Sequence, residues 1–177
     1  MNLNIKLLIF FCSLFSFLVI YGYRVGAESQ SDYILDARFG HGGKGVGEFS
    51  VPHSIVFDTL GNMYVTDNSN NRVQKFTSNG TFITKWGSNG TKDGQFGVLL
   101  GIDIDSYGSV YTIDQAKSLI QKFTNNGTFI TKWTNPAFGD WALEDIELDS
   151  SDNVYVTDRV NNEIFKFVQS IYPNPSN

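Results

Sequence analysis

The stretch FDTLGNMYVTDNSNNRVQKFTSNGTFITKWGSNG, Phe57 to Gly90, decides the fold, because the chain repeats it. It returns as IDIDSYGSVYTIDQAKSLIQKFTNNGTFITKWTNP, entered two residues upstream of the equivalent point, and again in weaker form as ELDSSDNVYVTDRVNNEIFKF, Glu147 to Phe167. Asp58, Asp105 and Asp149 fall in register at spacings of 47 and 44 residues, as do Tyr64, Tyr111 and Tyr155, and Asp67, Asp114 and Asp158. Internal repetition at such a period is the mark of a solenoid, array or propeller. Within the first copy, alternation of apolar and polar residues predicts four strands, at about 53–58, 62–66, 72–77 and 81–86. Leu60-Gly61-Asn62 and Asn79-Gly80 supply the turns, and Asn79-Gly80, repeated as Asn126-Gly127, predicts a two-residue type I′ hairpin. A unit of four antiparallel strands and about 45 residues is a propeller blade. The fold class expected is therefore all-β, a β-propeller of which this chain holds about three blades.

Four segments carry a family resemblance. Gly47-Glu48-Phe49-Ser50-Val51-Pro52, Gly61-Asn62-Met63-Tyr64-Val65-Thr66-Asp67, Asn70-Asn71-Arg72-Val73-Gln74-Lys75-Phe76 and Gly94-Gln95-Phe96 resemble the successive signatures of an NHL repeat, over nearly everything from Tyr33 to Phe167. The resemblance implies a propeller of six blades, in which Asp67, Asn71 and Arg72 brace a turn of the blade. The second copy has Ala116-Lys117-Ser118-Leu119 in place of Asn-Asn-Arg, and the third has Asn161-Asn162-Glu163, which puts the same bracing in question there.

Strand counting leaves one blade split. Phe39 precedes Trp86 by the spacing that separates Trp86 from Trp133, so residues 33–39 align with the fourth strand of a blade, whereas the third copy stops after its third strand at Phe167. The expected boundaries are a leader or anchor at 1–27, blades over 33–170 with repeats at about 41–87, 88–134 and 135–168, and a tail at 171–177, with strand 33–39 completing the last blade. Three arrangements would accommodate half a ring: a two-fold homodimer exchanging N-terminal strands, a partial or degenerate gene product, or a half-propeller docked on another NHL protein.

Lys6, an apolar run from Leu7 to Tyr23, and Val25-Gly26-Ala27 ahead of a polar segment read as an export signal cleaved after Ala27, or as a retained N-terminal membrane anchor. Either places the repeats outside the cytoplasm. The only cysteine, Cys12, lies inside that run, so no disulfide is expected in the repeats. The formal net charge of −5 excludes the basic field that nucleic-acid binding requires.

The site expectations follow from these placements. The loops where the copies differ, at Asn68, Asn70, Asn71, Arg72, Gln115, Lys117, Arg159 and Asn161, are the expected rim surface for a protein or carbohydrate ligand. His53 and Glu144 are expected to line the central channel. The segment Phe49 to Ile55 is similar to one in the lyase domain of peptide-amidating enzymes, which implies a zinc-ligating role for His53. The equivalent positions here are Leu100 and Glu144, however, and with two His in the chain the three-His set cannot be built, so no cofactor is expected and His53 and Glu144 stand only as weak metal candidates. The repeated Asp58, Asp105 and Asp149 sit where Asp accepts bonds from its own turn. Asn79, Asn89 and Asn126 each begin an Asn-Gly-Thr glycosylation pattern. The function expected is a binding scaffold, set against a metal-dependent propeller hydrolase or lyase of the gluconolactonase or amidating-lyase kind, or a truncated paralogue without a function of its own.

Overall fold

The computed structural model describes residues 33–170. The expectations on residues 1–27 and 171–177 lie outside them. Of the two units of the chain, Met1–Ala37 and Arg38–Asn177, the first contributes Tyr33–Ala37 to the described residues, without a strand, and the second holds every strand.

Two short strands, β1 (His41–Gly42) and β2 (Glu48–Phe49), pair in parallel around a tight loop. Blade one then runs β3 (Pro52–Phe57), β4 (Met63–Asp67), β5 (Arg72–Phe76) and β6 (Phe82–Trp86), hydrogen-bonded in sequence order and antiparallel throughout. Blade two repeats this with β7 (Leu99–Ile104), β8 (Val110–Asp114), β9 (Leu119–Phe123) and β10 (Phe129–Trp133). The third sheet has β11 (Leu143–Leu148), β12 (Val154–Asp158) and β13 (Glu163–Phe167). The strands of blade one fall within a residue of the positions that alternation predicts.

One expectation is corrected. Residues 33–39 form no strand, and the third sheet is three-stranded, with no outer neighbour on β13 among the described residues. Among the described residues, the fourth strand is therefore not returned to the last blade. Phe39 nevertheless keeps its blade register. Its ring lies against Gly80, where an added Cβ would come within 2.2 Å of it, just as the Trp86 ring lies within 2.5 Å of a Cβ placed on Gly127.

The hairpin chemistry also differs from expectation. The amide of Gly80 bonds to the Thr77 carbonyl and that of Thr77 to the Thr81 carbonyl. Only Gly80, at φ 82°, is left-handed, and Asn79 is not. This is a three-residue loop, a type I turn followed by a glycine in the left-handed region, rather than the type I′ pair. Gly127 and Gly61 end the same kind of turn, at φ 90° and 79°.

Blade contacts make the core. Tyr64 and Val73 of blade one, with Trp86, pack on Leu99, Ile102, Val110 and Phe123 of blade two. Tyr111, Ile113 and Ile120 of blade two, with Trp133, pack in the same way on Leu143, Ile146, Val154 and Val156 of the third sheet. Middle strand β8 is consequently buried on both faces, while in β4 and β5 the second face is buried by Met63, Val65 and Phe76 packing with Phe49 and Phe82. Burying a single large aliphatic side chain contributes about 1.5–3 kcal/mol, so these interfaces carry most of the stability.

Candidate binding site on the blade rim

At the end of β4 the chain must turn with its carboxylate already buried, and the loop chemistry follows from that. Asp67, fully buried, accepts Arg72 Nε at 2.8 Å, the Ser50 amide at 2.7 Å, Asn70 Nδ2 at 2.9 Å and Gln74 Nε2 at 3.2 Å. The Arg72 guanidinium then donates to the carbonyls of Lys44, Gly45 and Glu48 at 2.7, 2.7 and 2.8 Å. A planar fork is the side chain that can serve a carboxylate and three carbonyls together. Arg72 thus clamps the β1–β2 loop to the blade. Asn71, left-handed at φ 50°, donates to the Gly97 carbonyl at 2.7 Å and links blade one to the loop entering blade two.

Blade two performs the same bracing with a different residue. Lys117 Nζ lies 2.8 Å from Asp114 Oδ2 and donates to the Gln95 carbonyl at 2.9 Å, while Gln121 bonds Gly94 and Gln95 as Gln74 bonds Gly47 and Glu48. Loss of the Arg signature in sequence therefore did not mean loss of the clamp. The third sheet has no such cation. Asp158 instead accepts the amides of Gly139, Val160 and Asn161, and Phe165, at the position of Gln74, stacks edge-on against Phe138 with ring centroids 5.0 Å apart.

These bonds correct several of the expected rim contacts. Arg72 is buried and committed to the clamp, and reaches the rim only as part of a cavity wall. Gln115 is buried and bonds the Leu143 carbonyl and Glu144, while Lys117 is engaged as above. Asn161 bonds Asp158 and the Ala137 carbonyl. Arg159 is exposed and pairs with Glu144 at 3.1 Å. Asn68 opens the 3-10 turn Asn68–Asn70 and gives its amide to the Val51 carbonyl.

What the rim does form is a cavity of about 450 Å³ beside blade one, lined by Asn70, Asn71, Trp86 and Asn89 with Lys44, Lys85 and the clamped Arg72. No carboxylate lines it. Lys132, the counterpart of Lys85 in blade two, is neutralised by Asp93 at 2.6 Å. The residue corresponding to Asp93 in blade one is Val46, and Lys85 has no ion-pair partner among the described residues. Of the residues expected on the rim, Asn70, Asn71 and Arg72 line this cavity; Lys44, Lys85 and Trp86 were not among them. Lys85 could have been found by asking which repeat keeps the lysine and loses its acid.

His53 is exposed on β3, whereas Glu144 is half-buried against Gln115 and Arg159. Among the described residues no three His, Cys, Asp or Glu are grouped to hold a metal ion. Asp103, Asp145 and Glu147 face one another where β7 meets β11. Burial and then the neighbouring Asp145 push Asp103 up, against the pull of the Ile104 and Leu148 amides. Burial and then Asp103 and Asp145 push Glu147 up.

A second repeated unit was only half legible. Asp58, Asp105 and Asp149 accept the amides of their own turns, as expected, but each also accepts a tyrosine hydroxyl, from Tyr64, Tyr111 and Tyr155, at 3.1 Å. A lysine covers each ring, Lys75, Lys122 and Lys166, at 4.7, 4.7 and 5.1 Å from its centroid. This Asp–Tyr–Lys unit ties the first turn of each blade to its third strand. The Asn153 side chain and amide, with the Ser151 amide and Tyr155 hydroxyl, hold the Asp149 carboxyl down at about 2, against a small opposing effect of burial. A carboxylate whose folded pKa lies below its unfolded one stabilises the fold above the unfolded value, and that contribution disappears as pH falls from about 4 towards 2. Asp149→Asn is therefore expected to flatten this part of the stability profile. Urea midpoints at pH 5 and pH 2.5 should lie closer together in the variant than in the parent, and an unaltered gap would disprove the linkage.

Asn79 and Asn126 are exposed, each with its side-chain oxygen turned back on its own hairpin: Asn79 on Thr77 and Thr81, Asn126 on Thr124 and Thr128. Asn89, also exposed, donates from Nδ2 to Asn71 at 3.4 Å on the cavity wall.

Comparison with known proteins agrees with this geometry. Residues 49–76 match the profile of the family described as NHL repeat. A segment of 47 residues, 27% of this chain, is 49% identical to part of Protein lin-41 of Caenorhabditis elegans, and spans 4% of that protein. Among solved structures, a streptogramin B lyase aligns at TM-score 0.53 and 24% identity over 70% of this chain and 40% of its own. The WD40 β-propeller domain of Doa1 aligns at TM-score 0.54 and 13% identity, over 68% and 38%. Virginiamycin B lyase from Staphylococcus aureus, solved with quinupristin, aligns at TM-score 0.50 and 17% identity, over 76% and 44%. At these identities the structures show the fold, and the chain spans less than half the length of each protein it matches.

Proposed function

We propose that this chain, which carries an NHL repeat at residues 49–76 on blades of a β-propeller, is an extracytoplasmic binding module whose rim cavity on blade one takes an acidic segment of a protein partner. The observation that carries this reading is Lys85, without an ion-pair partner among the described residues, beside Lys44 in a cavity whose other lining is amides, hydroxyls, the Trp86 ring and the clamped Arg72. Two ammonium groups with no carboxylate among them favour an anion in a chain that is acidic overall. The amides can bond the backbone of an extended peptide, and Trp86 offers an apolar face. The export-type leader read at residues 1–27 supports placement outside the cytoplasm.

The test is titration of the full chain with a fluorescein-labelled polyglutamate peptide, in parallel with a neutral maltooligosaccharide. The peptide is expected to bind, with affinity falling as salt is raised, and Lys85→Glu to weaken it roughly tenfold, the scale of one charge-assisted hydrogen bond. Binding of the oligosaccharide alone would assign the cavity to carbohydrate instead. An affinity for the peptide unchanged in Lys85→Glu would remove the cavity from the proposal.

A further inference from the structure

The tripeptide Asn-Gly-Thr begins at Asn79, Asn89 and Asn126, and in two of these places a serine precedes it: Ser78-Asn79-Gly80-Thr81 and Ser88-Asn89-Gly90-Thr91. Asparagine before glycine is prone to cyclise, because no side chain shields the next backbone nitrogen. Equal local sequence gives these places equal intrinsic reactivity, so a difference between them in the folded protein is set by tertiary structure.

Two of the three are locked. The Gly80 amide donates to the Thr77 carbonyl at 2.9 Å, and the Gly127 amide to the Thr124 carbonyl at 3.0 Å. The carboxamide oxygen of Asn79 accepts the Thr77 hydroxyl, the Thr81 hydroxyl at 3.0 Å and the Thr81 amide at 3.3 Å. That of Asn126 accepts the Thr124 and Thr128 hydroxyls. Cyclisation must swing the carboxamide carbon onto the glycine nitrogen, so these bonds have to break first.

Asn89 is held less. It lies in an isolated parallel bridge to Phe96, and its Nδ2 gives one long bond, 3.4 Å, to the Asn71 side chain. Its carboxamide oxygen accepts no bond among the described residues. The Gly90 amide donates to the Phe96 carbonyl at 3.2 Å, the longest of the three glycine bonds. Asn89 also lines the rim cavity, where Lys44, Lys85 and Arg72 share the wall with no carboxylate. Nearby positive charge favours both the oxyanion formed during attack and the carboxylate product.

We propose that Asn89 is a site of spontaneous deamidation, through which the rim cavity acquires a carboxylate of its own. The Gly90 nitrogen, having lost its proton, attacks the Asn89 side-chain carbon. The new N–C bond closes a succinimide, the bond to Nδ2 breaks, and ammonia leaves. Water then opens the ring at either carbonyl, giving an aspartate or an isoaspartate. The net change turns one amide and one water into a carboxylate and an ammonium, with no oxidant or enzyme involved. The product would repeat for Lys85 the charge balance that Asp93 gives Lys132 in blade two. Its effect on a ligand rests on the anion-binding reading of the cavity, whose affinity for an acidic peptide should fall as the protein ages.

The test follows the full chain in detergent over time at mildly alkaline pH, with samples digested at acidic pH and each Asn-Gly pair read by peptide mass spectrometry. In urea, the peptides holding Asn79 and Asn89 should deamidate at the same rate. In the folded chain Asn89 should outpace both Asn79 and Asn126 by at least about fivefold, the weight of a single intramolecular hydrogen bond. Asn89→Gln, whose longer side chain cyclises far more slowly, should stay a single band on isoelectric focusing while the parent splits. Asn89→Asp should bind polyglutamate roughly threefold more weakly than freshly made parent, the scale of one exposed ion pair. Equal rates at the three pairs in the folded chain, or an Asn89 slower than Asn79, would overturn the site. Binding by Asn89→Asp as tight as that of a binding parent would overturn the charge effect. A fresh parent that does not bind polyglutamate would refute the acidic-ligand reading instead, while the three rates still decide the modification.

Discussion

Replacing Arg72 by alanine is expected to destabilise the fold by about 3–5 kcal/mol, the cost of breaking a buried ion pair from one side. The side chain is 7% exposed and its Asp67 partner fully buried. Removal would leave a buried carboxylate without its cation and take the donor from three carbonyls of the β1–β2 loop at once. In a chain of this size the melting temperature should fall by about 10 °C, and trypsin should cut first at Lys44, where the loop is released. Arg72→Lys should recover only part of the loss, because an ammonium reaches Asp67 and at most one or two carbonyls. Blade two shows that limit, since Lys117 serves one carboxylate and one carbonyl and leaves the rest to Gln121. A loss below about 1 kcal/mol in Arg72→Ala, the range of a surface pair, would show that the loop is held by something other than the clamp.

Phe123→Ala should cost a similar amount, about 3–5 kcal/mol, through the cavity it leaves. Its ring is fully buried between blades and touches Trp86, Phe96 and Phe129, with centroids 6.0, 5.8 and 6.0 Å away. The informative comparison is Phe167→Ala. Phe167 holds the same place in the third sheet and touches Trp133 and Phe138, but no fourth strand supplies it a counterpart of Phe129. This substitution should cost only about 1–2 kcal/mol, as for a partly exposed side chain. Chemical denaturation of both variants at low protein concentration measures the difference. Equal costs would mean that the outer face of the third sheet is as well covered as that of blade two.

The blade was legible because a repeat states its own register. Asp, Tyr and the Asn-Gly turn recur at fixed intervals, and strand alternation between them leaves one assignment of four strands. The rim was harder to read. Asn70 and Asn71 line the cavity, whereas Arg72, Gln115 and Lys117 in equivalent loops are drawn inward by buried carboxylates and carbonyls, Arg72 while still forming part of the cavity wall. A polar loop residue looks the same in sequence whether it meets solvent or a buried partner 27 residues away, as Arg72 meets Gly45.

Periodicity, turn residues and composition by themselves determined the repeat, the four-stranded blade and the acidic charge balance, because each depends on residues near in sequence or on their sum. Tertiary structure alone decided which loop side chains are clamps, that Lys117 replaces Arg72 from a different position, that Lys85 is left without an acid, and that Ile55 and Ile164 lie open while their counterparts are buried. Those outcomes depend on what a neighbouring blade brings within about 3 Å for a hydrogen bond or about 4 Å for an apolar contact. Similar repeats acquire different environments only once they are stacked, since among the described residues blade two alone has a neighbouring blade on both sides.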